Sequence, residues 1–374
     1  AHREQTRYEA LANGFAQDGP MGACQKQTDK ILSLALSPPS EYAAQHRDGE
    51  QGWRCLGAAQ ESLKTVDMGQ EQADSLSGEM GRASDSLSAR SPLVCCPRAA
   101  RRTGTYPFCD SLDHVGVMAR SLPDLAAGYN SAQGFDAADH ACADRAIELI
   151  DAARRGGQPL RVGVLQGYFD PVEFRDATQV VNSCAQAFES SGAAVEHCEL
   201  KLAEAGRSAA FLITNIEGAS LHYEKVMASA DAFDPDTRDR FIAGSLLPAG
   251  WYTRAQRVRR QYAQEAAQLF TRFDILLAPA TPIRAPLLGQ KTMLMGGNEL
   301  NVRANLGYFT QPISCIGLPV VCAPVLQSAG VDPAPALGVQ IISAPWREDL
   351  CFMAAGQLAD HGVTASAVAA MDAS

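Results

Sequence analysis

Apolar positions are unevenly spread along the chain, and their densest runs lie in its final third. The stretch from Arg272 to Pro286 carries an apolar run, Phe273 to Ala278, broken only by Asp274 and cut off by prolines at 279, 282 and 286. Ile275, Leu276 and Leu277 are apolar without alternation, which predicts a strand covered on both faces in a largely parallel sheet. The prolines remove backbone donors and fix φ, so the strand empties into a stiff irregular loop. Tyr308 to Pro324 and Leu337 to Pro345 repeat the theme of a short apolar run with Gly and Pro punctuation. Three such units predict a central sheet whose loops gather at one edge. Ligands of α/β sheets commonly bind beyond the carboxyl ends of strands, so that edge is the expected pocket.

Ser121-Leu-Pro-Asp124 opens a helix, with Ser121 as its cap and Pro123 and Asp124 in its first turn. Asp139 to Ala153 reads as a second helix. Leu160 to Leu165 is a strand, Asp176 to Ser190 a helix and Ala194 to Cys198 a strand, together a parallel strand, helix, strand unit. Arg207 to Glu224 and Arg254 to Phe270 are helical in pattern. The second carries Arg254, Arg257, Arg259 and Arg260, which read as a solvated face or a partner contact rather than a catalytic set.

Residues 1 to about 100 have a different texture. Tyr8, Leu11 and Phe15 stand at helical spacing within Glu4 to Phe15, and Ile31 to Leu36 forms a short strand or helical turn. Elsewhere this part is rich in Gln, Ser, Asp and Gly, and Ser75 to Ser91 holds six serines in seventeen positions, the composition of loop or disorder. The shift divides the chain into a poorly patterned part, 1–102, and a motif-rich part, 103–374.

Composition narrows the function classes. The chain has 374 residues, 46% hydrophobic and 20% charged, within the range of a globular protein able to bury a large core. A net charge of −10 and a pI near 5.2 argue against nucleic acid as a bulk partner. No apolar run approaches the roughly 18 residues of a membrane span, and Ala1 to Gln5 opens without a signal peptide's apolar core. Eleven cysteines are scattered with no CxxC pair, which predicts reduced thiols in a cytoplasmic protein. Seven dispersed histidines give no metal-ligand spacing, so no metal is expected.

Several motifs together resemble the amidase signature family. Gly104-Thr-Tyr-Pro107, Ser111-Leu-Asp-His-Val-Gly116 and Ala119-Arg-Ser-Leu-Pro-Asp124 match that family's run after the active-site segment, with Val117 where a proline is usual. Phe273 to Pro282 is similar to its Tyr-Asp-x-Leu-Leu-x-Pro-x-x-Pro element. Gly317-Leu-Pro319 and Leu337 to Ile342 resemble its closing segments. The resemblance covers about 103 to 362. Gly104 to Phe108, Trp251 to Gln256 and Ala344-Pro-Trp346 are most similar to the carboxybiuret hydrolase branch.

The resemblance implies an α/β fold, a central mixed sheet of many strands with helices on both faces, and a Ser, cis-Ser, Lys triad needing no metal or organic cofactor. In that chemistry a lysine with lowered pKa draws a proton through a bridging serine from the nucleophilic serine. Its positions fall in the ill-patterned part. Leu63-Lys64-Thr-Val-Asp67 is nearest to the lysine context, Ser77-Gly78 stands for the bridging serine, and Ser88-Ala-Arg-Ser-Pro92 keeps the nucleophile's Ser-x-Arg-x-Pro half, with Asp85-Ser-Leu in place of its glycines. Lys64 and Ser88 are only 24 residues apart, shorter than the family spacing, which implies a deleted or frame-altered catalytic half.

Tyr106, Ser111 and Asp113, in the loop after the nucleophile, and Gln311 are candidates to touch substrate. Arg240 and Tyr252 sit where this branch would recognise a carboxylate. Structural alternatives stand beside these: Asp113 as a turn cap, Tyr106 as a packing ring and Arg240 as surface charge. Three functions fit: an amidohydrolase for a small amide or urea-like compound, a non-catalytic scaffold, or the amidase-like component of a tRNA-dependent amidotransferase. A homodimer or a small helical partner subunit is compatible with each.

Overall fold

The computed structural model describes residues 91–94, 99–154, 159–287, 289–295, 297–325 and 337–364, with backbone alone at 91–94, 235–236 and 303–304. The elements expected at 4–15 and 31–36, together with Lys64, Ser77 and Ser88, lie outside the described residues. In chain order the elements are β1 (Ser91–Val94), β2 (Gly116–Ala119), α1 (Leu122–Ala132), β3 (Arg161–Gln166), α2 (Arg175–Ser190) and β4 (Ala194–Glu199). Three long helices follow, α3 (Ala203–Ser229), α4 (Pro235–Ser245) and α5 (Ala249–Leu269). Then come β5 (Ile275–Pro279), the hairpin β6 (Thr292–Met295) and β7 (Asn298–Asn301), the short helices α6 (Val302–Asn305) and α7 (Gln311–Cys315), β8 (Val320–Val325), β9 (Leu337–Ser343) and α8 (Glu348–Asp360).

Among the described residues seven strands form one sheet in the order β2-β1-β8-β9-β5-β3-β4. Of its described pairs only β3 with β4 and β3 with β5 are parallel; β9 runs antiparallel to both β5 and β8. The sheet is therefore mixed, as the family resemblance implies, rather than largely parallel. β5, β8 and β9 are buried at every position. Their alternation is real but hidden, because both faces are dry. Ile275, Leu277, Val321, Ala323, Val339 and Ile341 face a core shared with α1, α2 and α8. Leu276, Ala278, Val320, Cys322 and Ile342 face a second core closed by α5, Phe309 and Ile313. A strand apolar on both sides cannot show period 2, which is why the run reads as continuous.

The strand, helix, strand unit forms as its pattern predicts, with α2 crossing between parallel β3 and β4. Helix α1 starts at Ser121, whose hydroxyl accepts from the Asp124 N–H. Helix α3 packs tightly on α5: a Cβ at Gly206 would lie 2.5 Å from the Tyr262 ring, so only glycine admits this approach.

Two expectations are corrected. Residues 139–153 are not a helix but an irregular segment lying along α1. Side chains take the backbone groups that a helix would need. The Asn130 amide both accepts from the Ile150 N–H (2.8 Å) and donates to the Ile150 carbonyl (3.0 Å), and Gln133 Nε2 donates to the Glu148 carbonyl. At the segment's start, the Asp139 carboxylate accepts from the backbone and guanidinium of Arg102, which holds its pKa down at about 2.

The second correction concerns the loops. β5 and β8 both exit where β9 begins, with Pro279 opposite Val339 and Val325 opposite Leu337. Because β9 is antiparallel, its own exit lies at the other edge, with Ser343 opposite Ile275. There Trp346 adopts a left-handed φ of 67° beneath the Arg145 guanidinium.

Gln340 of β9 is fully buried and donates through Nε2 to the carbonyls of Pro279 (2.8 Å) and Phe309 (3.1 Å). It thus ties the loop after β5 and the segment before α7 to one point of the sheet. Replacing it with leucine strips two buried carbonyls of their donor. Gln340→Leu should cost about 1–3 kcal/mol, read as a lower urea midpoint with an unchanged slope.

Candidate active site

The loop between β1 and β2 folds on itself through Asp113. Its Oδ2 accepts from the N–H groups of Phe108 (2.7 Å) and Cys109 (2.9 Å), while the Cys109 carbonyl accepts from the Asp113 N–H. Asp113 is thus a turn cap, as its structural alternative anticipated. Burial pushes its carboxyl up to about 6, against the opposing pull of the two N–H groups and Arg102.

Glu217 of α3 gathers the same loop from the other side. It accepts from the Ser111 N–H (2.8 Å), the Ser111 hydroxyl (2.7 Å), the Tyr252 hydroxyl (2.7 Å) and the Cys109 thiol (3.2 Å). Burial pushes the Glu217 carboxyl up, but these donors outweigh it and hold the group below the usual carboxylate range. Cys109 responds in the opposite sense: burial and the Glu217 charge push its thiol far up, so it is a protonated donor rather than a nucleophile.

Arg259 of α5 closes the arrangement. Its Nε donates to the Cys315 carbonyl at the end of α7 (2.6 Å), Nη1 to the Ser111 hydroxyl (3.1 Å) and Nη2 to the Ser111 carbonyl (3.0 Å). Arg254, Arg257 and Arg260 are exposed, as expected of a solvated face, and Arg259 alone of the four turns inward. Gln256 Nε2 donates to the Tyr252 hydroxyl at 3.0 Å.

The other candidates lie around this centre. Arg240 is buried rather than surface charge; its Nε donates to Asn215 Oδ1 (3.1 Å) and its guanidinium sits 5.3 Å from the centroid of the Phe108 ring. Tyr106 is half exposed, stacks on the buried His222 ring and accepts from Lys225 Nζ (2.9 Å). Gln311 accepts from Nε of the buried Arg207 at 2.6 Å. Ser111 and Tyr252 are therefore brought together on one carboxylate. Asp113 supports the same turn, Arg240 and Tyr106 flank it, and Gln311 joins only through α7.

A groove of about 740 Å³ opens beyond the exits of β3 and β5, lined by Val172, Phe174, Arg284, Met293 and Leu294 among others. None of the six candidates lines it. Among the described residues there is no cluster of His, Cys, Asp or Glu able to hold a metal, and no helix long and apolar enough to cross a membrane.

Sequence reasoning passed over Glu217 and assigned Arg259 to a solvated face or a partner contact, which its bonds to Ser111 and Cys315 correct. Their signals were present: Tyr252, Gln256 and Arg259 recur at i, i+4 and i+7 on one helix face, and Glu217 is a lone acid between Ile216 and Gly218.

The amidase family model matches residues 98–352. The chain belongs to the amidase family. It is 41% identical over 263 residues to AtzE, the 1-carboxybiuret hydrolase component of Pseudomonas sp. strain ADP, covering 70% of this chain and 56% of that one. It is 28% identical to a glutamyl-tRNA(Gln) amidotransferase component of Akkermansia muciniphila, covering 67% of this chain and 57% of that one. The chain thus spans little more than half the length of these curated relatives. Among solved structures it is similar to a vestigial protein complex bearing on the origins of an s-triazine catabolic enzyme, at 38% identity and TM-score 0.69, covering 77% and 62% of the two chains. The 6-aminohexanoate cyclic dimer hydrolase, at 21% identity and TM-score 0.63 over 75% and 62%, shares the fold.

The Asp113 geometry predicts a specific pH dependence. Its folded pKa of about 6 lies above the unfolded value of about 3.9, so its contribution to stability is fully present below pH ~4 and is lost as pH rises through 6. The loss is on the order of 3 kcal/mol. In Asp113→Asn one amide oxygen can still accept both N–H groups. Denaturant titrations between pH 4 and 7 should therefore show a flatter stability profile for this variant than for the parent.

Proposed function

We propose that the protein is an amidohydrolase acting on a small amide or urea-like substrate of the carboxybiuret type. The reading is carried by the 41% identity to a 1-carboxybiuret hydrolase component over 263 residues, 70% of this chain. In the proposed chemistry Ser88 attacks the amide carbonyl and Ser77 relays its proton to Lys64, neutral in its resting form; as the C–N bond breaks, that proton passes to the departing ammonia or amine and the acyl ester stays on Ser88. Water then hydrolyses the acyl-enzyme, and no metal or organic cofactor takes part. Ser111, Tyr252, Tyr106, Asp113, Arg240 and Gln311 form or support the substrate side.

Residues 1–102 are, in this proposal, an altered version of the family's catalytic half joined to the amidase scaffold of 103–374. Asp85-Ser-Leu in place of glycines weakens the turn that would hold the oxyanion, and one lost donor can cost ~10²–10³ in rate. Slow turnover is the consequence. The similarity to a structure described as a protein complex supports assembly into a complex, for which a second copy and a small helical partner are the two forms proposed.

Ammonia release from biuret-type amides should be measurable for the parent and should fall at least ~10³-fold in Ser88→Ala. Equal background from both proteins would discard the hydrolase in favour of a scaffold. Release that appears only with a tRNA-charging partner would move the chain to the amidotransferase class.

A further inference from the structure

Glu217 does more than hold a loop, because it fixes where two hydroxyl hydrogens point. Each hydroxyl has one hydrogen, and an ionised carboxylate accepts only. The Ser111 and Tyr252 hydroxyls each place that hydrogen on Oε1 of Glu217, both at 2.7 Å. The remaining capacity of both oxygens is acceptor capacity. Part of it is already used, by Arg259 Nη1 at Ser111 (3.1 Å) and by Gln256 Nε2 at Tyr252 (3.0 Å). What either oxygen can still offer a ligand is a lone pair.

We propose, resting on the function above, that Glu217 is a specificity-determining residue: by accepting a hydrogen bond from both hydroxyls it leaves Ser111 and Tyr252 as acceptors for substrate N–H groups and turns carboxylates away. The chemical class received at this face is the neutral amide or urea NH₂. Arg259 Nη1 reaches the same Ser111 hydroxyl from the other side, and the proposed selection rests on the direction of the hydroxyl hydrogens. Tyr252 is thereby assigned to the amide part of a substrate instead of the carboxylate expected of it from sequence. Cys109 strengthens the arrangement, since its protonated thiol donates to the other oxygen, Oε2, and leaves Oε1 to the two hydroxyls.

Glu217→Gln preserves shape but introduces a donor, which lets either hydroxyl turn its hydrogen outward. The test uses calorimetric binding of two probes to the full chain: biuret, which has only neutral N–H and C=O groups, and malonamate, which carries a carboxylate. Glu217→Gln should weaken biuret at least tenfold relative to malonamate, and in steady-state assays the loss should fall on KM rather than kcat. Tyr252→Phe, which removes one acceptor without supplying a donor, should weaken biuret several-fold with no gain for malonamate. Biuret binding within twofold of the parent in both variants, parallel loss of both probes in Glu217→Gln, or no binding of biuret by the parent would each overturn the proposal. Binding needs no turnover. A chain that shows this pattern without releasing ammonia would end the hydrolase reading alone, and a Ser88-dependent hydrolase lacking the pattern would end this inference alone.

Discussion

One side-chain amide at the centre of the sheet carries an unusual share of the organisation. Gln340 is the polar interruption in a strand otherwise surrounded by two apolar cores, and its two N–H groups reach the carbonyls of Pro279 and Phe309. Pro279 closes the β5 ladder and Phe309 lies in the irregular segment before α7, and buried carbonyls at such ends need donors from elsewhere. A glutamine inside a sheet meets that need from a fixed point. The loop after β5 and the approach to α7 are consequently held to each other through the sheet.

The same economy appears at the loop before β2. Asp113 satisfies its backbone from within, Glu217 draws it onto α3, and Arg259 ties it to α5 and the end of α7. Three charged groups, each partly or fully withdrawn from water, fix one short turn because each has several hydrogen-bond partners. Removing water strengthens such bonds and makes unmet ones costly, so the loop has few alternative positions.

Much of this architecture was legible in the residues. The Ser121 cap, the strand, helix, strand unit and the doubly buried run of β5 follow from local rules, and the structure follows them. Residues 139–153 failed because the deciding partners, Asn130, Gln133 and Arg102, are far enough away in sequence that periodicity cannot register them. The direction of β9 failed for a related reason: a strand buried on both faces has the same pattern whichever way it runs. At the candidate site, Ser111, Tyr252 and Asp113 were found as motif residues, whereas Glu217 and Arg259 left only spacing and isolation as signals, and their partners are set by where α3, α5 and α7 converge. Arg240 was read as a carboxylate contact with surface charge as the alternative, and its burial went unseen because a lone arginine in sequence carries no mark of the aromatic ring it will cover.

The sheet's outer boundary at β4 is also protected against pairing with a further strand. β4 pairs only with β3 among the described residues, and its residues Glu196, His197 and Glu199 are exposed. Arg272 bonds to Glu196 and shields part of the rim. A border with acidic side chains at both Glu196 and Glu199 repels an approaching strand of the same kind, so continuous growth of the sheet from molecule to molecule is disfavoured there.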